Sequence, residues 1–184
     1  SLDDVQHDFV YPQPPFEYSF DVPEARDVVF MSNPCTFALN EVVFSVSASD
    51  ALLHMGADEI SQFQSAAASG RLARLAEHCL QQRSVYPLFP PRTGAAQLDL
   101  RHRKKYSLQH CSPDVLITPS KLAHFATKVK ERLCINPGQL ARGGNGGTFA
   151  SIVVHPKPQT MSEDDVEKER HNVADRSRVE IMRI

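Results

Sequence analysis

No run of apolar residues in this 184-residue chain approaches the length needed to cross a bilayer. Charge imbalance is missing too, with 20 Lys and Arg against 22 Asp and Glu, a formal net charge of −2 and a pI near 6.4. A protein that engages a polyanion over its whole surface is usually basic, so the balance argues against that class and leaves only local patches. Cysteine is sparse: Cys35, Cys79, Cys111 and Cys134 lie far apart and form no C-x-x-C pair. Three of them sit in apolar or helical contexts, where Cys acts as a small hydrophobe, which predicts a reducing compartment and no zinc. No initiator Met or signal peptide opens the chain. Its start, Ser1-Leu2-Asp3-Asp4, suggests a fragment or processed product of a larger functional unit.

The motifs of common chemistries are also lacking. No G-K-[ST] or G-x-G-x-x-G exists to cradle a phosphate, and no G-x-S-x-G forms a nucleophile elbow. The eight histidines are scattered, with no H-x-H, H-E-x-x-H or E-x-x-H pairing. His54 and His124 are expected inside helices as packed or surface residues. Asp3, Asp4 and Asp8 near His7 are read as a hydrated cluster rather than metal ligands.

What is present is a core-sized share of apolar residues, 41%, enough for one domain. The stretch from Leu133 to Ala150 is its most specified part. A short apolar run ends in Asn136-Pro137-Gly138, a tight turn leaving a strand. Gly143, Gly144, Gly146 and Gly147 then let the backbone pass close to a ligand or to another part of the protein. They run into a β-prone segment rather than a helix, which argues against a phosphate loop.

Elsewhere, Tyr11 to Phe16 is rich in proline and aromatics and is expected to lie extended, its rings pinned to the core; an SH3-type ligand is the less favoured reading. Val28–Met31, Thr36–Leu39 and Val42–Val46 read as strands, the last two joined at Asn40-Glu41. Glu41 is a poor residue for positive φ, so a strained or longer turn is expected there. Ser49 reads as the cap of a helix over 50–55 closed by Gly56. Leu72, Leu75, Ala76, Cys79 and Leu80 mark an amphipathic helix between Arg71 and Arg83. An irregular crossing follows from Tyr86, and its basic run Arg101–Lys105 reads as a solvated loop. Asp114–Ile117 reads as a buried strand. Ser120 is expected to cap a helix lined by Leu122, Phe125, Ala126 and Val129, completing a βαβ unit with the next strand. Residues 162–178 read as a charged loop, and Val179–Ile184 as the last strand.

Taken together, Ser112–Ser120, Ile135–Gly138 and Gly147–Ala150 resemble the C-terminal part of the B-subunit family of replicative DNA polymerases. Val10–Phe16, Gln82–Pro91 and Met182–Ile184 resemble that family in the same order, in the branch that serves polymerase alpha–primase. The resemblance implies an α/β (α+β) fold, a calcineurin-like metallophosphoesterase-type β-sandwich flanked by helices. It also implies that residues 1–184 are the C-terminal portion of one such domain, with the upstream half and an oligonucleotide-binding-type domain outside this chain. Active phosphoesterases hold two metal ions by His, Asp and Asn at the strand ends. Here Leu2 and Asp3 stand where Asn and His ligands would be, Ser47-Ala48 where a His-Gly pair would be, and Thr118–Lys121 where G-H-x-H would be. The implied site is therefore inactive, with no catalytic, cofactor or metal-binding residues and no cofactor.

The expected function is that of a non-enzymatic regulatory subunit in the nucleus. It would hold the C-terminal region of the polymerase catalytic subunit, and through it primase, for initiation of DNA replication. Two other readings stay open. One is an active metal-dependent phosphoesterase or nuclease of the same fold. The other is a nucleic-acid module using Arg101 to Lys105 with Tyr106 as a stacking platform.

Overall fold

The computed structural model describes residues 10–17, 28–60, 70–94, 97–108, 112–157 and 172–184. Strands β1 (Cys35–Leu39), β2 (Val42–Val46), β3 (Val115–Ile117), β4 (Phe125–Val129) and β5 (Arg132–Asn136) form a sheet in the order β1-β2-β3-β5-β4. The central β2, β3 and β5 run parallel, while β1 and β4 flank them antiparallel. Alternation along the strands sends Leu116 and Cys134 to one face and Val115, Leu133 and Ile135 to the other.

The first face is covered by helices α1 (Ala51–Asp58) and α2 (Gly70–Gln81), which contribute Leu52, Met55, Leu75, Ala76 and Cys79 to the core. After β5 come a small hairpin, β6 (Ala141–Arg142) and β7 (Asn145–Gly146), and a two-stranded ribbon, β8 (Thr148–Val154) and β9 (Ser177–Arg183). Ala150, Ile152 and Val179 of that ribbon pack on the second face. Helices, a mixed sheet and a second sheet thus stack in layers around two apolar cores. This is the expected α+β class.

At the starting ends of the parallel strands, buried Asp114 ties three of them together. Its carboxylate accepts from Val43 N at 3.0 Å and from Arg132 Nη1 at 2.7 Å, while its own backbone bonds to Val43 and Leu133. The proline-rich segment is anchored as expected. Tyr11 is fully buried, its ring against Tyr86 and Tyr106, and its backbone bonds to Gln97 and Asp99.

Several expectations are corrected. Residues 120–129 hold no helix: Ser120 caps none, and Phe125–Val129 is strand β4, hairpin-paired to β5. The parallel β3–β5 pair is reached through that antiparallel return strand, so the unit is not βαβ. His124 consequently sits in the exposed approach to β4, outside any helix, whereas His54 is within α1. Val28–Met31 forms no strand. Asp50, not Ser49, caps α1, accepting from Leu53 N at 3.1 Å. The helix also runs through Gly56 to Asp58. A side chain at Gly56 would come within 3.4 Å of Arg71 and Leu75, so glycine there serves close approach to α2 rather than termination.

The Asn40-Glu41 connection is a two-residue turn after all, with both φ angles positive, and Lys130-Glu131 repeats it between β4 and β5. Arg101–Lys105 lies in a 3-10 helix, Leu100–Tyr106, rather than a loop. Within 162–178, residues 172–178 are described. They form a 3-10 turn, Ala174–Arg176, and the start of β9, which begins at Ser177 rather than Val179. The expectations for Asp3, Asp4, His7, Asp8, Cys111 and residues 162–171 fall outside the described residues.

Candidate functional site

Because β2, β3 and β5 are parallel, their carboxyl ends meet on one edge, where open α/β sheets place ligands. Ser47 follows β2, Thr118 follows β3 and Asn136 closes β5, and all three are buried. The resemblance called for metal ligands at two of these places, Ser47-Ala48 and Thr118–Lys121.

The side chains of Ser47 and Asn136 are bound internally. The Ser47 hydroxyl lies 2.9 Å from the Tyr11 hydroxyl. Asn136 Oδ1 accepts from Ser120 N and Gly138 N, both at 2.9 Å, and its Nδ2 donates to the carbonyls of Ala123 (3.0 Å) and Leu122 (3.4 Å). Ser120 Oγ accepts from Leu122 N at 3.1 Å. Asp50 uses one carboxylate oxygen to cap α1 and the other to accept from Lys121 N at 2.8 Å. The loop after β3 is therefore held from both sides, by a carboxamide from β5 and a carboxylate from the N-terminus of α1.

A cleft of ≈ 490 Å³ opens beside this loop. Its walls are mainly apolar, including Ile117, Pro119, Leu140, Phe149 and Ile152, and only Asp50 and Lys121 among its lining residues are ionisable. Leu140 and Phe149 are exposed at its rim.

Two divalent ions need several unengaged oxygen or imidazole donors converging within coordination distance. The described residues do not fit that demand. The two oxygen-bearing side chains nearest the purpose, Asn136 and Asp50, already engage backbone amides through each of their oxygens, and the loop of Thr118–Lys121 carries no imidazole. Among the described residues no group of three or more His, Cys, Asp or Glu is placed to hold a metal ion. Burial pushes the Tyr11 phenol far up, opposed by its bond to Ser47, so it stays a neutral hydroxyl. Burial likewise pushes the thiols of Cys79 and Cys134 up to about 12, which makes them core residues rather than nucleophiles.

The glycine loop shows what its flexibility is for. Gly138 has φ +81, and β6 pairs with β7 across a turn that begins with Gly143 at φ +60. At Gly147 a Cβ would fall 1.8 Å from the Gln139 carbonyl oxygen, and at Gly146 one would fall 2.6 Å from the Ile184 carbonyl oxygen. What Gly146 and Gly147 pass so closely is protein backbone, whereas Gly143 and Gly144 have nothing within 4 Å of a Cβ.

Arg101, Arg103, Lys104 and Lys105 are exposed. Tyr106 is not the free stacking platform considered for them, since its ring packs against Tyr11 at 5.8 Å between centroids. Sequence reasoning missed the Tyr11–Ser47 pair and the Asp50–Lys121 bridge. An Asp directly before an apolar helical run was a signal for the latter; the former joins residues 36 apart and had none.

Comparison with known proteins fits this geometry. The family of the B subunit of DNA polymerases alpha and epsilon matches residues 1–127. The chain is 41% identical over 162 residues to the DNA polymerase alpha B subunit of Mus musculus, covering 88% of this chain and 26% of that protein. The protein of the same name from Schizosaccharomyces pombe is 41% identical over 129 residues, 67% of this chain and 22% of that one. For that of Saccharomyces cerevisiae the identity is 31% over 193 residues, with coverage of 85% and 27%. The chain thus spans about a quarter of the length of these relatives. With a family match over more than half of its residues, the chain belongs to the B-subunit family of DNA polymerases alpha and epsilon.

Proposed function

We propose that this chain is part of a non-catalytic accessory subunit of DNA polymerase alpha–primase. In that role it scaffolds the catalytic subunit and primase in the nucleus for initiation of DNA replication. The name shared by the relatives, the B subunit of DNA polymerase alpha, supports the assignment to that polymerase. The observation that carries the non-catalytic part is the engagement of Asn136 and Asp50 with backbone amides at the strand ends. A site whose oxygen donors support a loop has nothing left to polarise a phosphodiester. The apolar cleft beside it suits side chains of another protein better than a charged substrate. By family resemblance, the partner is the C-terminal region of the polymerase catalytic subunit.

The test uses the full-length subunit that contains this chain. Co-expressed with the catalytic subunit's C-terminal region, it is expected to co-purify with it in equal amounts. Incubated with manganese and bis-p-nitrophenyl phosphate, it is expected to release no nitrophenol above buffer. Separate elution of the two proteins would overturn the scaffold role, and manganese-dependent turnover would overturn the non-catalytic one.

A further inference from the structure

The 3-10 helix that carries the basic run borders a second groove, ≈ 450 Å³, at the start of β1. Pro15, Val29, Met31 and Pro34 give it an apolar wall, and Lys104 and Lys105 stand on its rim. Val29 is 78% exposed and Val28 54% exposed, an unusual cost for β-branched residues in an ordered segment. Lys104 and Lys105, with Arg101 and Arg103 of the same exposed run, make no ion pair with any described residue, as several other surface cations do not. The groove also includes Cys35 and Thr36 of β1, an edge strand whose outer side pairs with no other described strand. Among the described residues, an apolar wall, cations without ion pairs and an unpaired strand edge occur side by side.

We propose that this groove docks an extended, acidic peptide segment of a partner protein, with apolar side chains against Val29 and Met31 and carboxylates at Lys104 and Lys105. An extended segment can add its backbone to the β1 edge while alternate side chains enter the groove. Unpaired lysines on the rim select carboxylates and speed encounter. A single-stranded nucleic acid is the poorer fit: Phe30 is the one aromatic residue lining the groove, Tyr106 is packed on Tyr11, and the backbone groups of the β1 edge offer pairing that a nucleic acid does not use. This inference is independent of the role proposed for the strand-end cleft.

The experiment is fluorescence anisotropy on the full-length subunit that contains this chain, with a fluorescein-labelled dodecapeptide alternating Glu and Leu. Comparison probes are the same peptide with Gln for Glu, and labelled dT12. The Glu–Leu peptide is expected to bind, and the Gln peptide and dT12 to bind at least about tenfold more weakly. Lys104→Glu/Lys105→Glu and, separately, Val29→Asp are each expected to weaken binding about tenfold, while Lys157→Glu, in a different groove, leaves it unchanged. Lys104→Gln/Lys105→Gln guards against misfolding as a cause, since neutralisation alone should reproduce most of the loss at unchanged circular dichroism. Absence of binding, or binding indifferent to Lys104, Lys105 and Val29, overturns the proposal. Tighter binding of dT12, lost in the same lysine variants, replaces it with a nucleic-acid contact.

Discussion

Asn136, at the end of β5, holds Ser120, in the loop after β3, by accepting its backbone N–H at 2.9 Å. The same oxygen accepts from Gly138 N, and the amide nitrogen reaches two carbonyls of the loop. One fully buried side chain thus sets the path of the segment on either side of the strand-end cleft. Asn136→Ala would leave two buried amides, of Ser120 and Gly138, without partners, and would release the carbonyls of Leu122 and Ala123 nearer the surface. The expected loss is about 2–4 kcal/mol of unfolding free energy, read from urea denaturation followed by circular dichroism. A loss below about 1 kcal/mol would mean that water replaces the carboxamide without difficulty.

The glycine loop makes a prediction that discriminates among its own residues. Gly147→Ala places a methyl group 1.8 Å from the Gln139 carbonyl, a backbone atom that cannot swing aside, whereas nothing lies within 4 Å of a Cβ at Gly144. Thermal unfolding should show a severe drop, or no folded protein, for Gly147→Ala and little change for Gly144→Ala. Gly143→Ala should fall between, losing about 1 kcal/mol for its positive φ alone. Equal behaviour of Gly144 and Gly147 would contradict the described packing.

His54 supplies a pH dependence. Burial lowers its pKa below the ordinary 6.5, an effect that nearby Asp50 opposes, and its Nδ1 lies 3.1 Å from the Tyr86 hydroxyl. The unfolded chain therefore binds the proton more readily than the folded one. Stability is fully present above about 6.5 and is lost as pH falls through that value toward the lowered folded pKa. His54→Gln should flatten the slope of unfolding free energy between pH 7 and 5 relative to the parent chain. An unaltered slope would remove His54 from the account.

Thiol chemistry separates core from surface. Cys79 and Cys134 are buried with pKa values near 12, and Cys35 is only half-buried, its thiol raised by burial as well. Iodoacetamide at pH 8, with peptides read by mass spectrometry, should label Cys35 in the native protein and reach Cys79 and Cys134 only after denaturant is added. Early labelling of Cys79 would mean that α2 opens locally.

Much of the fold was legible because its strong elements follow one period each. The apolar spacing from Leu72 to Leu80 defined α2, and the β-branched runs defined β2, β3, β5 and β8. The misreading of 120–129 has a definite cause. Leu122, Phe125, Ala126 and Val129 match a helical stripe, but Phe125, Thr127 and Val129 also match a strand face. The hairpin that decides between them turns at Lys130-Glu131, which lack the Gly or Asn expected at positive φ. Val28–Met31 has the composition of a strand without a neighbour to pair with, and composition cannot reveal that. At the strand ends, the lack of histidine in Thr118–Lys121 was visible in the residues themselves. The use of Asn136 and Asp50 as loop supports was not, because their partners are backbone atoms from distant positions.

The clamp between Val43 N and the Asp114 carboxylate joins residues 71 positions apart, and β3 meets β2 across the same gap. The β1–β2 hairpin holds one edge of β2, but its other edge stays open until that distant strand arrives. On a ribosome, the β1–β2 hairpin and both helices would emerge with their apolar faces uncovered and wait for β3 and β5 to be made. Pairing over such separations is slow relative to helix formation. The molecule therefore has a late-closing seam along β2, and a chaperone that binds exposed hairpins would have its longest opportunity there.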